Sequence, residues 1–599
     1  MLRGAQLARR ARCTHGSSKR LLSSTRNISR ANGTFTGRPT AVGTAVAVTA
    51  VAASLMYASQ QEVVYADAPN GSGKLSESDS NVQRGTGDDG TLWTLVWGSN
   101  RNHVLTPDSA QNESIRGPTN VEWLQSVALR DLVLHNEHAA CIDSKGDVYQ
   151  WGDGFFGDVK SSTKPLLTLR EKNIVALQAT PSRIFALSAS GRIYVLAASL
   201  PKQELPVGTP TPSSTPWWGT GWIWGEEEEH DFAEITPSEK LSWNEKFVSI
   251  SAGNDHLLAL TSSGRTFAHP INLNANSHGQ VGTRKFDIPD HNNSITQPHA
   301  RIPLELTPKA IADPYATTTP AIRRVSEVVQ QENGRVDDGG IHFSDRLFEI
   351  PALKGVQVRQ VATGSRSSFV RTSEGRVLGW GANEYGQIGL GGNVTLNLIT
   401  VPTEVILWRN TPQTMRTMCL NVYAGGDLTF FTVERSDGTG MPYVDVLACG
   451  NGQWGGLGNA LFSNAQGTPL RAKNVSGLLE YSEKHNNLQP IYPHDISISP
   501  TGHVLLTLDT LTRSGPGGGG RDLLVWGANQ EYQLGNGKRG SLATPTALES
   551  ADGQRFMLGK KRAVEVRDLR GRVWKKGVEV EQRAVTGYGN SVVYWKICS

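Results

Sequence analysis

The sequence predicts an all-β protein, a seven-bladed β-propeller closed by its own two ends. Three observations predict it. A phrase of apolar strand, glycine turn, second strand and Trp-Gly recurs along the chain. Six copies of it are whole, and two fragments left over at opposite ends complement each other. Such internal similarity marks one supersecondary unit stacked many times. A lone four-stranded sheet cannot bury both faces, and radial stacking solves this while leaving only short, protected edges.

The clearest copy runs over residues 361–389, with others near 132, 247 and 495. Each opens with a short run rich in Val, Leu, Ile and Phe. A glycine (Gly146, Gly191, Gly264, Gly375 or Gly502) then supplies the positive φ of a tight hairpin turn. The tryptophan ending the returning strand (Trp97, Trp151, Trp380, Trp526) offers a large apolar face to wedge between sheets. The next glycine lets another backbone approach. Whole units fall at about 132–158, 174–199, 247–285, 358–403, 421–473 and 494–548. Leu92 to Asn100 carries a Trp-Gly end without its incoming strand, and Val585 to Trp595 carries the incoming strand without Trp-Gly. Joined, they make the seventh unit.

These motifs resemble the RCC1 family (regulator of chromosome condensation 1), over residues 92–597. The family pattern is Gly-x-x-His-x-x-Ala-Leu, a glycine turn, Trp-Gly and Asn-x-x-Gly-Gln-Leu-Gly. Ala382-Asn-Glu-Tyr-Gly-Gln-Ile-Gly389, Gly450-Asn-Gly-Gln-Trp-Gly-Gly-Leu-Gly458 and Ala528-Asn-Gln-Glu-Tyr-Gln-Leu-Gly535 match its last part. Two units depart from it: Tyr194-Val-Leu and Phe267-Ala-His stand where Trp-Gly belongs. His138 and His256 fall on the family's histidine position, where a structural role is expected rather than catalysis.

The ends divide the chain further. Residues 1–38 read as a mitochondrial transit peptide, because residues 1–61 hold eight Arg, one Lys and no acid, with many serines. Residues 39–61 carry no charge, and Ala41 to Ala58 is an 18-residue run of Ala, Val and small polar groups. A bilayer span takes about 20 apolar residues, so this is a short candidate span. Arginines before it and acids after it favour a matrix-side N-terminus, with the propeller in the intermembrane space. Import into the matrix is the alternative. Residues 62–91 read as a flexible polar linker, and 92–599 as the propeller. The net charge of +4 lies in the leader, so the remainder is slightly acidic. That balance counts against direct nucleic-acid binding, which needs a concentrated basic face.

No sequence feature asks for a catalytic residue, a cofactor or a metal. Gly71-Ser-Gly-Lys74 lacks the first glycine of a phosphate loop, and His135-Asn-Glu-His138 does not have the metalloprotease spacing. Cys13, Cys141, Cys419, Cys449 and Cys598 show no metal-ligand pairing. Function is therefore sought in insertions on the scaffold. One, at about 200–246, holds Trp217, Trp218, Trp222 and Trp224 followed by Glu226, Glu227, Glu228 and Glu229. Tryptophans favour partner hot spots and membrane interfaces, and they also serve to seal the two divergent units. The other, at about 286–357, contains a short helical pattern over 321–331.

The combination of transit sequence, span and propeller is similar to RCC1-like proteins of the fungal mitochondrial inner membrane. That resemblance implies a scaffold or assembly factor for the cytochrome bc1 complex (respiratory complex III), with a respiratory-complex subunit or another assembly factor as partner. The family's founder implies guanine-nucleotide exchange instead, and some mitochondrial members imply a ribosome- or RNA-associated role in the matrix.

Overall fold

The computed structural model describes residues 91–107, 114–157, 164–205, 230–290, 300–309, 336–409, 411–438, 440–482, 486–510, 520–550 and 553–598. The transit, span and linker segments therefore lie outside the described residues, except Thr91. Among the described residues, no helix is long and apolar enough to cross a membrane.

Each repeat folds as an antiparallel sheet. Asp131–Leu134, Ala139–Ile142, Val148–Trp151 and Leu166–Leu169 form the first. Val358–Thr363, Ser367–Thr372, Val377–Ala382 and Leu398–Glu404 form another. The leading strands touch in circular order: Asp131–Leu134, Ile174–Ala179, Phe247–Ala252, Val358–Thr363, Arg416–Gly425, Pro493–Ile498, Val573–Thr586, and back to the first. Side chains from adjoining sheets interdigitate, as where Phe369 meets Phe431 and Phe430 meets Trp526 edge-on. This is the radial packing of a propeller.

The two ends of the chain share one sheet. Thr94–Ser99 pairs antiparallel with Asn590–Ile597, from Leu95 opposite Val593 to Gly98 opposite Asn590. The fragments that the sequence left incomplete thus finish one another.

Three expectations need correction. The hydrogen bonding among the described residues gives six sheets of four or more strands rather than seven separate ones. The two divergent units merge into one eight-stranded sheet. Arg346–Glu349 pairs antiparallel with Thr266–Pro270 and parallel with Ala233–Pro237, joining them. Both joining strands come from the stretches read as insertions, so 200–246 and 286–357 each contain an outer sheet strand. Arg265 pins this join: its Nη2 donates to Glu349 Oε2 at 2.7 Å, and its Nη1 pairs with Glu245 at 3.4 Å. Lastly, Gly502 sits at φ +93° in the hairpin before the strand His503–Leu508, one turn earlier than the repeat reading placed it.

Candidate interaction surfaces

The Trp-Gly pair is the joint between neighbouring sheets. All four tryptophans are fully buried, and each indole Nε1 donates to a carbonyl in the preceding unit. Trp97 reaches Gln533 O at 2.8 Å, Trp151 reaches Val104 O at 2.8 Å, Trp380 reaches Gln280 O at 2.8 Å, and Trp526 reaches Gly456 O at 2.7 Å. In the unit with Cys449 at this position, the thiol makes the corresponding bond to Gln387 O at 3.3 Å. The following glycines have φ between +97° and +113° (Gly98, Gly152, Gly381, Gly450, Gly527). A Cβ on Gly98 would lie 2.5 Å from Gly589 O, and one on Gly450 only 2.0 Å from Asp427 O. In the divergent units the register places Leu196-Ala197 and His269-Pro270 here, since Arg183 pairs with Ala197 and His256 with Pro270. Tryptophan and glycine are therefore lost together.

The family's histidine position extends the joint. His256 Nε2 lies 2.8 Å from Ser368 Oγ, and that hydroxyl lies 2.8 Å from Gln280 O, the acceptor of Trp380. Because the carbonyl can only accept, the serine donates to it and the histidine donates to the serine, which assigns the proton to Nε2. The junction at His503 repeats the pattern. Its Nε2 lies 3.1 Å from Asn590 O and 3.2 Å from Ser591 Oγ, and Ser591 donates to Gln533 O at 2.9 Å. Burial pushes the imidazoles of His138, His256 and His503 down to about 3, so all three are neutral at physiological pH. His256 and His503 hold sheets together, whereas His138 Nε2 is buried without a hydrogen-bond partner. His503 was hidden from sequence reading by the misplaced turn at Gly502.

The loops fixed by these joints make one end of the body. There, Arg101, Asn102, Asn136, Glu531 and Tyr588 line a polar cleft of about 330 Å³ at the closing junction. Arg101 pairs with Glu531 across it at 3.0 Å. His135 packs between His138 and Tyr588, with ring centroids 4.6 and 4.5 Å away, and burial lowers its pKa to about 4.

The expected docking residues Trp217, Trp218, Trp222, Trp224 and Glu226 to Glu229 lie outside the described residues, as does the helical pattern at 321–331. Just beyond the first stretch, Trp243 is 92% exposed. Burial raises the thiol pKa of Cys141, Cys419 and Cys449, so each is a protonated, poorly nucleophilic side chain. Among the described residues no three His, Cys, Asp or Glu side chains gather as metal ligands. Sequence reading also missed a hairpin, Lys560–Arg567 with the first half of Val573–Thr586, which extends the closing sheet to five strands.

The family model described as "Regulator of chromosome condensation (RCC1) repeat" matches residues 374–432 and 522–559, and a second model of the same description matches 358–387. The mitochondrial protein FMP25 of Saccharomyces cerevisiae is 21% identical over 490 residues, covering 80% of this chain and 70% of its own length. The mitochondrial RCC1 domain-containing protein RUG3 of Arabidopsis thaliana is 24% identical over 366 residues. That match covers 59% of this chain and 64% of RUG3, a little under two-thirds of the relative. Among solved structures, Prp20p of Saccharomyces cerevisiae, described with its binding to Gsp1p and histones, is 15% identical with a TM-score of 0.49. It covers 85% of this chain and 92% of its own. The mitochondrial names of FMP25 and RUG3 support a mitochondrial location. The chain carries RCC1 repeats and is homologous to the mitochondrial RCC1-domain proteins FMP25 and RUG3.

Proposed function

We propose that this chain is a non-enzymatic scaffold of the mitochondrial inner membrane that acts in assembly of respiratory complex III. The observation that carries the reading is the relationship to a mitochondrial yeast protein along 80% of the chain. The architecture suits the task. A ring whose sheets are stapled by buried Trp-to-carbonyl bonds is rigid, and a rigid body presents its loops to a partner subunit at little cost in ordering them. We count it as seven blades, taking the eight-stranded sheet as two. Residues 39–61 would anchor it, with the body in the intermembrane space, and the Trp- and Glu-rich stretch 217–229 would dock the partner.

The test is affinity purification of the tagged full chain from solubilised mitochondria. Complex III subunits or their assembly factors should co-purify. Changing Trp217, Trp218, Trp222 and Trp224 together to Ala should release them while thermal unfolding of the body stays unchanged. Recovery of a GTPase or of ribosomal proteins in their place would replace this reading with exchange activity or a matrix role.

A further inference from the structure

The hairpin that the repeats do not account for is strongly basic. Residues 560–577 hold eight Lys and Arg (Lys560, Lys561, Arg562, Arg567, Arg570, Arg572, Lys575, Lys576) against two acids, Glu565 and Asp568. All of these bases except Lys561 are exposed, whereas Asp568 is buried and paired with Lys145 at 2.7 Å. Over the whole paired ribbon, 560–581, Glu579 and Glu581 bring the acids to four, so the slightly acidic balance of the chain beyond residue 61 conceals a local excess of four positive charges, with Arg567 held by Glu565 at 2.7 Å and Lys560 by Glu579 at 3.7 Å. Val564, 68% exposed, and Val573, 48% exposed, lie among the cations, with Trp574 half-buried beside them.

The hairpin also holds Thr91 and Leu92, the first described residues. Lys561 Nζ donates to Thr91 O at 3.0 Å, and Leu92 packs in one cluster with Ala563, Val566, Val578 and Trp595. The C-terminus is held at the same place, where Cys598 N donates to Glu579 O. An edge strand is commonly blunted by charge, and four of the eight cations sit on the edge strand Lys560–Arg567; the other four, Arg570, Arg572, Lys575 and Lys576, lie in the turn and the start of the returning strand, where that explanation does not reach.

We infer that this hairpin is a docking surface for an anionic lipid bilayer, resting on the membrane that residues 39–61 are proposed to enter. The chemistry favours lipid over nucleic acid. Exposed aliphatic side chains and a half-buried tryptophan among lysines and arginines match a headgroup interface, which accepts both. A phosphate backbone gains nothing from the valines.

The test uses the full chain with vesicles of phosphatidylcholine, with and without a minority of phosphatidylglycerol. Flotation reads anchoring, and hydrogen exchange reads residues 560–577. Exchange over 560–577 should slow only with anionic vesicles, and high salt should reverse it. Lys575→Ala with Lys576→Ala should weaken the body's association about 30-fold, at about 1 kcal/mol per cation. Both side chains are exposed, so that variant folds. Flotation with both vesicle types but no slowing over 560–577 would overturn the surface and leave the anchor standing. No flotation with either would remove the anchor, and the surface with it. Slowing by a single-stranded oligoribonucleotide but not by anionic vesicles would assign the hairpin to nucleic acid instead.

Discussion

Ser368 is the link on which one inter-sheet joint depends. Its hydroxyl accepts from His256 Nε2 and donates to Gln280 O. In Ser368→Ala, Gln280 O keeps the Trp380 indole at 2.8 Å and stays satisfied. His256 Nε2–H does not. It is fully buried, and among the described residues Ser368 is its one hydrogen-bond partner, Nδ1 having none. An orphaned buried donor costs about 1–3 kcal/mol. Ser591 occupies the matching position at the closing joint, but His503 Nε2 there also has Asn590 O at 3.1 Å. Ser591→Ala should therefore cost about 0.5–1.5 kcal/mol, the net worth of one hydrogen bond. Urea unfolding read by tryptophan fluorescence compares the two midpoints at unchanged slope. The double change His256→Leu with Ser368→Ala removes both partners and should recover part of the loss, a positive coupling in the cycle. If Ser368→Ala cost no more than Ser591→Ala, or the cycle showed no coupling, the proton assignment and the chain of bonds would be wrong.

Other consequences follow from the same joints. Trp526→Phe should destabilise more than Trp380→Phe, by about 1 kcal/mol, because Gly456 O has the indole of Trp526 as donor while Gln280 O retains Ser368; chemical denaturation of the two variants decides it. Gly450→Ala forces a Cβ against Asp427 O at φ +113° and should cost more than about 1 kcal/mol, whereas Ala197→Gly in a divergent unit should stay within that figure. The buried histidines make stability depend on pH. Above pH 6.5 they are neutral in both states and contribute nothing. Below it the unfolded chain takes up protons that the native His138, His256 and His503 refuse until about pH 3, so stability falls with pH. Each contributes a slope of about 1.4 kcal/mol per pH unit, and His256→Gln should flatten the profile near pH 5 by that amount. An unchanged slope would mean that His256 protonates freely in the folded protein.

What the sequence made legible was what the joint requires. A glycine at positive φ facing a carbonyl admits no other residue without strain, so Trp97-Gly98, Trp151-Gly152, Trp380-Gly381 and Trp526-Gly527 stand out in the sequence as they do in space. The complementarity of 92–100 and 585–595 was legible for the same reason. Ala233–Pro237 and Arg346–Glu349 were not. They are four- and five-residue strands, largely half-exposed, without alternation to distinguish them from loop. Their pairing comes from long-range contact through Arg265 rather than from local preference. The hairpin at 560–586 escaped notice because it matches no repeat and its charge is diluted in the total. Net charge is a sum over the chain, and a binding face depends on where the charges sit.

The most direct measurement of the functional claim is a native gel of inner-membrane respiratory complexes from cells lacking this chain. The scaffold reading predicts that complex III stalls as a smaller intermediate while mitochondrial translation continues at its normal rate. Complex III that assembles fully, or that fails only because translation has failed, would contradict it.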